Sequence, residues 1–205
     1  LAIFGTSGFA REVRDIAVLT GYGEIVFIGK TAENSIQGFT VQMEEEVCEL
    51  AQQNFSFIIG IGNPKNRKEI LGKHPDLNYV NLIHPFATFG YQQLGEVEKM
   101  VGNIVCAGVR MTNQITTGNF GIYNLNCTVG HDCIVEDFVT VSPGASISGN
   151  VWLQEGSYLG ANSCVIQGKS ITEKITVGRY ATVGAGAVVT KNVSDNIIVK
   201  GIPAK

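Results

Sequence analysis

The stretch from Val129 to Val189, VGHDCIVEDFVTVSPGASISGNVWLQEGSYLGANSCVIQGKSITEKITVGRYATVGAGAVV, decides the fold. Every sixth residue from its start is a branched aliphatic: Val129, Val135, Val141, Ile147, Leu153, Leu159, Val165, Ile171, Val177, Val183 and Val189. Two places before most of them stands a small residue: Cys127, Cys133, Ala145, Ser157, Ser163, Ala181, Ala187. Neither a helix nor an alternating strand has a six-residue period. A hexapeptide repeat does, and it predicts a parallel β-helix in which three short strands close one triangular coil of about eighteen residues. The aliphatics point inward, the small residues fill the corners, and Gly130, Gly144, Gly160, Gly178 and Gly184 are expected to make the turns.

The repeat also predicts contacts. Residues eighteen apart stack at about the 4.8 Å strand spacing. The second residue after an inward aliphatic faces out at a corner. His131 is such a residue, and Gly149 is expected one coil above it.

Outside this stretch the period changes. Ala2–Phe4 reads as a strand, Gly5-Thr6-Ser7-Gly8 as a tight turn, Phe9–Thr20 as a helix and Glu24–Ile28 as a second strand. This is the opening of a Rossmann-like βαβ unit, whose turn amides can face a phosphate at a helix N-terminus. It is not GxGxxG, so a dinucleotide is poorly supported, and a turn that binds nothing is the competing reading. Met43–Gln52 reads as a helix whose Glu44–Glu46 suits a first turn, Phe55–Ile61 as a buried strand, Asn66–Leu71 as a helix, and Tyr79–Ile83 as a short strand. Ligands of an open parallel sheet lie at the C-terminal ends of its strands, here Gly5–Phe9, Gly29–Thr31 and Gly62–Lys65. The chain thus divides into an α/β domain over 1–84 and an all-β parallel β-helix over 85–205. The first coils occupy 87–128, residues 190–205 leave the prism, and Gly201-Ile202-Pro203-Ala204 reads as a terminal extended tail.

Composition narrows the function. The 205 residues carry a net charge of −3 and no basic cluster, which argues against nucleic acid as a partner. No apolar run approaches the roughly 18 residues of a membrane span. Leu1–Phe4 lacks the basic flank and cleavage motif of a signal peptide. Five cysteines without CxxC spacing read as small buried residues in a reducing cytoplasm. Of three histidines, His74 reads as surface and His84 as a hinge. His131 stands at an outward corner beside Asp132, and a carboxylate raises imidazole basicity and fixes its tautomer. A turn histidine capped by its neighbour is the alternative. Zinc is not expected, because three His ligands are needed and the repeat has one.

These residues meet a family. The chain resembles the bacterial sugar acetyltransferases of the sialic acid O-acetyltransferase type, the NeuD/PglD-like group. The resemblance rests on Gly5-Thr6-Ser7-Gly8, Ile59-Gly60-Ile61-Gly62-Asn63, Val80-Asn81-Leu82-Ile83-His84, His131-Asp132-Cys133, Gly160-Ala161-Asn162-Ser163-Cys164-Val165 and the closing Gly201-Ile202-Pro203-Ala204-Lys205. It implies a left-handed wind, a homotrimer, and acetyl-CoA lying outside the prism between two subunits. It implies His131 as the base, Asp132 as its partner, and the Gly149 amide on the thioester oxygen. By the same carry-over Thr140, Ala161 and Arg179 join Gly149 along the CoA groove. Ser7, Gly8, Phe9, Gly62, Lys65 and Asn124 would hold the sugar nucleotide. Relatives acting on UDP-sugars show Asp-Asp after the second strand where this chain has Gly29-Lys30, a departure in the base contact. The expected reaction is acetyl transfer to the amine of a nucleotide-linked amino-deoxy sugar. The alternatives are O-acetylation of a sialic acid or similar hydroxyl, where Lys30 can meet a carboxylate or phosphate, and a non-catalytic scaffold, which needs no His-Asp corner. The tail Gly201–Lys205 is expected near the adenine end of the cofactor.

Overall fold

The computed structural model describes residues 1–30 and 35–205. It opens with β1 (Ala2–Phe4), α1 (Gly8–Leu19), β2 (Val26–Gly29), β3 (Ser35–Ile36), β4 (Phe39–Met43), a 3-10 turn (Glu44–Glu46), α2 (Val47–Gln52), β5 (Phe57–Ile59) and α3 (Pro64–Lys73). Among the described residues the sheet order is β3-β4-β2-β1-β5, parallel except for the β3–β4 hairpin. β1, β2 and β5 are near-continuous apolar runs because both faces are covered. Ile3, Phe27 and Ile58 pack with Ala10 and Val13 of α1. Ala2, Phe4, Ile28 and Ile59 pack with Val47, Leu50 and Ile70 of α2 and α3.

Two local expectations fail here for tertiary reasons. Met43 does not begin a helix: it ends β4, pairing with Gly29, and its amide donates to Glu46 Oε2 at 2.7 Å. The expected strand Tyr79–Ile83 divides. Tyr79 bridges to Phe57, whereas Leu82–Ile83 pairs with Ile104–Val105 and already belongs to the second architecture.

That architecture is a left-handed parallel β-helix. Among the described residues its three faces hold seven, six and four strands. The first face runs through Thr140–Val141 and Tyr158–Leu159, the second through Thr128–Val129 and Ser146–Ile147, the third through Ile134–Val135 and Val151–Leu153. Thr128 pairs with Ser146 and Ser146 with Cys164, the eighteen-residue step. The inward aliphatics are at most 1 % exposed from Val129 to Val165, and the small corner residues are buried as well. In the opening coils α4 (Gln93–Glu98) stands between Thr88–Phe89 and Ile104–Val105, and Gln93 hydrogen-bonds both the amide and the carbonyl of Ile115.

The structure departs from three expectations about the repeat. Ile171 is not an inward aliphatic but 65 % exposed. Leu153 pairs with Val177, where the eighteen-residue step would bring Ile171, so one hexad leaves the prism as a loop. Most of the glycines are not the turn-makers. Left-handed backbone falls instead at Asn126, Asp132, Phe138, Gly144, Asn150, Gly156 and Asn162. Gly130 is needed for closeness: a Cβ there would lie 2.6 Å from the Gly149 nitrogen of the next coil. Residues 190–205 do not leave the prism as an extended tail. Val193 bridges to Val177, Ile198–Val199 pairs with Thr182–Val183, and the Gly201–Lys205 turn folds back so that Ala204 donates to the Val188 carbonyl at 2.8 Å.

The junction between the two parts is pinned by a buried arginine. Arg67 of α3 donates to the carbonyls of Phe120 (3.0 Å), Ile61 (3.0 Å), Gly62 (2.8 Å) and Phe138, and to Thr140 Oγ1 (3.0 Å). Burial lowers its pKa to about 9, so the guanidinium remains charged at neutral pH.

Candidate active site

His131 stands at the corner between the second and third faces. Its side chain is 46 % exposed, and its Nδ1 lies 2.7 Å from Asp132 Oδ2. Asp132 occupies the left-handed region, φ +57°. That conformation turns the aspartate beside the preceding imidazole, although the two are sequence neighbours. With a carboxylate as acceptor, Nδ1 carries the proton and Nε2 presents a lone pair to solvent.

Directly above lies Gly149, in the place the eighteen-residue step assigns. A Cβ on it would come within 2.6 Å of both His131 Cε1 and Nε2, so only a glycine leaves the ring where it is. The repeat leaves the first corner amide without a partner in the coil. At Asn119, Glu155 and Arg179 a side chain from a neighbouring coil caps it: Asp137, Glu136 and Asp195 respectively. At Gly149, as at His131, Asp137 and Ala161, it meets no acceptor among the described residues. The corner thus presents an imidazole lone pair and an open backbone donor side by side, which can take a proton from a nucleophile and accept a developing oxyanion.

The expected nucleotide-side residues are brought together in part. Ser7, Gly8 and Phe9 follow β1, and Gly62 and Lys65 follow β5, its hydrogen-bonded neighbour. The two turns nearly touch: a Cβ on Gly5 would be 3.1 Å from the Gly60 carbonyl. Ser7 is the N-cap of α1 and makes no side-chain cap, so the first helical amides stay open. In α3, by contrast, Asn63 caps Lys65 and Asn66. Lys65 Nζ lies 5.7 Å over the Tyr180 ring, across a cleft of about 620 Å³ between α3 and the first face. Lys30 is exposed at the end of β2, and Thr31 lies outside the described residues. Asn124 is one corner before His131, its Oδ1 accepting the Leu125 amide at 2.7 Å.

A single chain does not gather the expected cofactor contacts. Gly149 shares the corner with His131, Ala161 lies at the corner between the first and second faces, and Arg179 at the corner between the third and first. Arg179 also approaches Glu136 at 4.0 Å. Thr140 is buried under the junction, its hydroxyl donating to Gly62 O and accepting from Arg67, which leaves it no free group for a ligand in this chain. A groove of about 920 Å³ opens beside the His131 corner, between the third face at Ile134 and Trp152 and the looped-out hexad at Ile171 and Lys174.

Sequence patterning missed several groups. Arg67 has a surface position in a helical pattern and only the fold buries it. Lys174 sits in the loop that the six-residue count concealed. His74 is not plain surface: its Nε2 is 3.4 Å from Glu44 and its ring packs 5.6 Å from Phe4. Among the described residues no three metal-ligating side chains converge, and no helix is long and apolar enough to cross a membrane.

Comparison with known proteins bears on the fold and the family. The family described as PglD N-terminal domain matches residues 1–74. The acetyltransferase domain of PglB from Neisseria gonorrhoeae FA1090 superposes with a TM-score of 0.87 at 32 % identity, over 100 % of this chain and 97 % of that one. It has also been solved in complex with acetyl coenzyme A. PerB from Caulobacter crescentus, in complex with CoA and GDP-perosamine, superposes with a TM-score of 0.85 at 27 % identity, over 100 % and 95 % of the chains. A GDP-perosamine N-acetyltransferase of Escherichia coli O157:H7 is 27 % identical over 182 residues, 81 % of this chain and 77 % of its own length.

Proposed function

The chain belongs to the PglD-like sugar acetyltransferases, and on that premise we propose that it transfers acetyl from acetyl-CoA to the amino group of a nucleotide-linked amino-deoxy sugar. The observation that carries the reading is the corner itself: a carboxylate-held imidazole beside an uncapped backbone amide. Support for the amine as acceptor comes from relatives named for N-acetylation of GDP-perosamine.

In this reading the neutral amine attacks the thioester carbonyl while His131 Nε2 takes its proton. Asp132 stabilises the imidazolium through Nδ1–H. The carbonyl oxygen gains charge against the Gly149 N–H, a donor fixed before the reaction begins. Collapse breaks the C–S bond, and the proton on Nε2 goes to the departing thiolate. The sugar nucleotide lies at the β1 and β5 turns, its phosphates toward the open amides of α1, and the pantetheine arm takes the groove beside Ile134 and Trp152. Gly149, Ala161 and Arg179 stand at three different corners. A continuous cofactor groove through them therefore needs neighbouring prisms, which favours a homotrimer.

The test is acetyl-CoA-dependent thiol release against UDP-, GDP- and dTDP-linked amino-deoxy sugars, CMP-sialic acid and sialic acid. Release with an amino-sugar nucleotide is expected. Release confined to the sialic acids would replace this reading with O-acetylation.

A further inference from the structure

The looped-out hexad reaches back to the catalytic corner through Lys174. The loop leaves and rejoins the prism directly above Gly149: Gly168 N donates to Gly149 O at 3.0 Å and Ile175 N to Asn150 O at 3.2 Å. A Cβ on Gly168 would run into the Asn150 carbonyl, so the neck has no slack. The loop is closed on itself by Lys169 N to Glu173 O at 3.0 Å and Glu173 N to Ser170 Oγ at 3.1 Å. Lys174, at the base of this closed turn, donates its Nζ to the Asp132 carbonyl. Among the described residues no carboxylate lies within ion-pair distance of it.

Asp132 is the residue that such an anchor affects most. It is a non-glycine in the left-handed region, which is sparsely populated for side-chain-bearing residues. The orientation of its peptide decides whether its carboxylate meets His131 Nδ1. A second place in the molecule shows the same solution: the carbonyls of the left-handed corner residues Phe120 and Phe138 are both held by the Arg67 guanidinium. A long cationic side chain anchors the outward carbonyl of such a corner by a charge-assisted hydrogen bond.

We propose that Lys174 is a positioning residue for the His131–Asp132 pair, so that the extra hexad completes the catalytic corner. Its kinetic consequence rests on the acetyl-transfer reading, while its structural consequence does not. Lys174→Met keeps the aliphatic stem and removes the donor; Lys174→Arg restores a cation.

With ¹⁵N-labelled histidine, the wild-type His131 signal, assigned by its loss in His131→Asn, is expected to show protonated Nδ1 and bare Nε2. Lys174→Met is expected to shift it toward a tautomer average, and Lys174→Arg to return it. In turnover, Lys174→Met is expected to lower kcat on the order of tenfold. An unmoved tautomer in a folded Lys174→Met protein overturns the proposal whether or not an acceptor has been found. A shifted tautomer with unmoved kcat overturns its catalytic half. Absence of transfer by the wild type would count against the functional reading alone, and the spectra would still decide this one.

Discussion

Replacing Gly149 with alanine adds one methyl group at the position where the account requires none. The new Cβ would sit 2.6 Å from His131 Cε1 and Nε2 and 3.0 Å from Cδ2. Carbon atoms rest comfortably at about 3.5–4.0 Å, so the ring must retreat by about 1 Å or tilt out of its 2.7 Å bond to Asp132. A displacement of about 1 Å at a reacting group can cost roughly 10²-fold in rate, or about 2.7 kcal/mol of transition-state stabilisation. Gly149 does not occupy the left-handed region, so the backbone accepts alanine and its N–H is retained. The cost to the fold is a strained imidazole, about 0.5–1.5 kcal/mol. Gly130→Ala is the contrast. Its Cβ would meet the Gly149 nitrogen at 2.6 Å and the Ser148 carbonyl carbon at 2.7 Å, atoms of the next coil that cannot rotate away. The assay pairs steady-state kinetics with thermal melting. Gly149→Ala should lose kcat by about two decades with a small drop in Tm, whereas Gly130→Ala should melt far below the wild type. A Gly149→Ala enzyme within twofold of wild-type kcat would refute the placement of the reacting atoms at this corner.

Four other substitutions probe three separate links of the account. His131→Asn should abolish turnover while leaving assembly and acetyl-CoA affinity, read by calorimetry and sedimentation, near wild type; retained turnover would remove the base from the mechanism. Arg67→Met should lower the urea-unfolding free energy by about 3 kcal/mol or more, since buried carbonyls left unpaired cost about 1–3 kcal/mol each; a neutral or stabilising result would mean that relief of the buried charge outweighs them. Ile171→Asn should change unfolding free energy by no more than about 0.5 kcal/mol, whereas Leu159→Ala should cost about 2–5 kcal/mol; equal costs would contradict the looped-out hexad.

The prism was legible because its core is one-dimensional. Each inward aliphatic from Val129 to Val165 is specified by its own hexad and needs no distant partner to be recognised. The same locality hid the loop, since removing six residues from the prism leaves the six-residue count intact and Ile171 still falls on it. The glycines misled for a related reason: Gly130 answers to the coil above it, while from Asn126 to Asn162 the left-handed positions fall two residues further along, on Asn, Asp or Gly at all but Phe138. The His131–Asp132 pair and the Gly149 contact were legible because one is a sequence neighbour and the other an eighteen-residue step away. Arg67, Lys174 and the burial of Thr140 were not, because each depends on how α3 or the loop packs against a coil far away in sequence. Met43 shows the same limit in the α/β part, where pairing with Gly29 overrides a local helical pattern.

The central claim is transfer to an amine, and the chemical stability of the product tests it most directly. The measurement is mass spectrometry of a GDP- or UDP-linked amino-deoxy sugar after reaction with acetyl-CoA and the protein, before and after treatment with mildly alkaline hydroxylamine. An amide withstands hydroxylamine and an ester does not. The account predicts a singly acetylated sugar nucleotide whose added mass survives the treatment and whose formation is lost in His131→Asn. An acetyl group removed by hydroxylamine would place the transfer on a hydroxyl and contradict it.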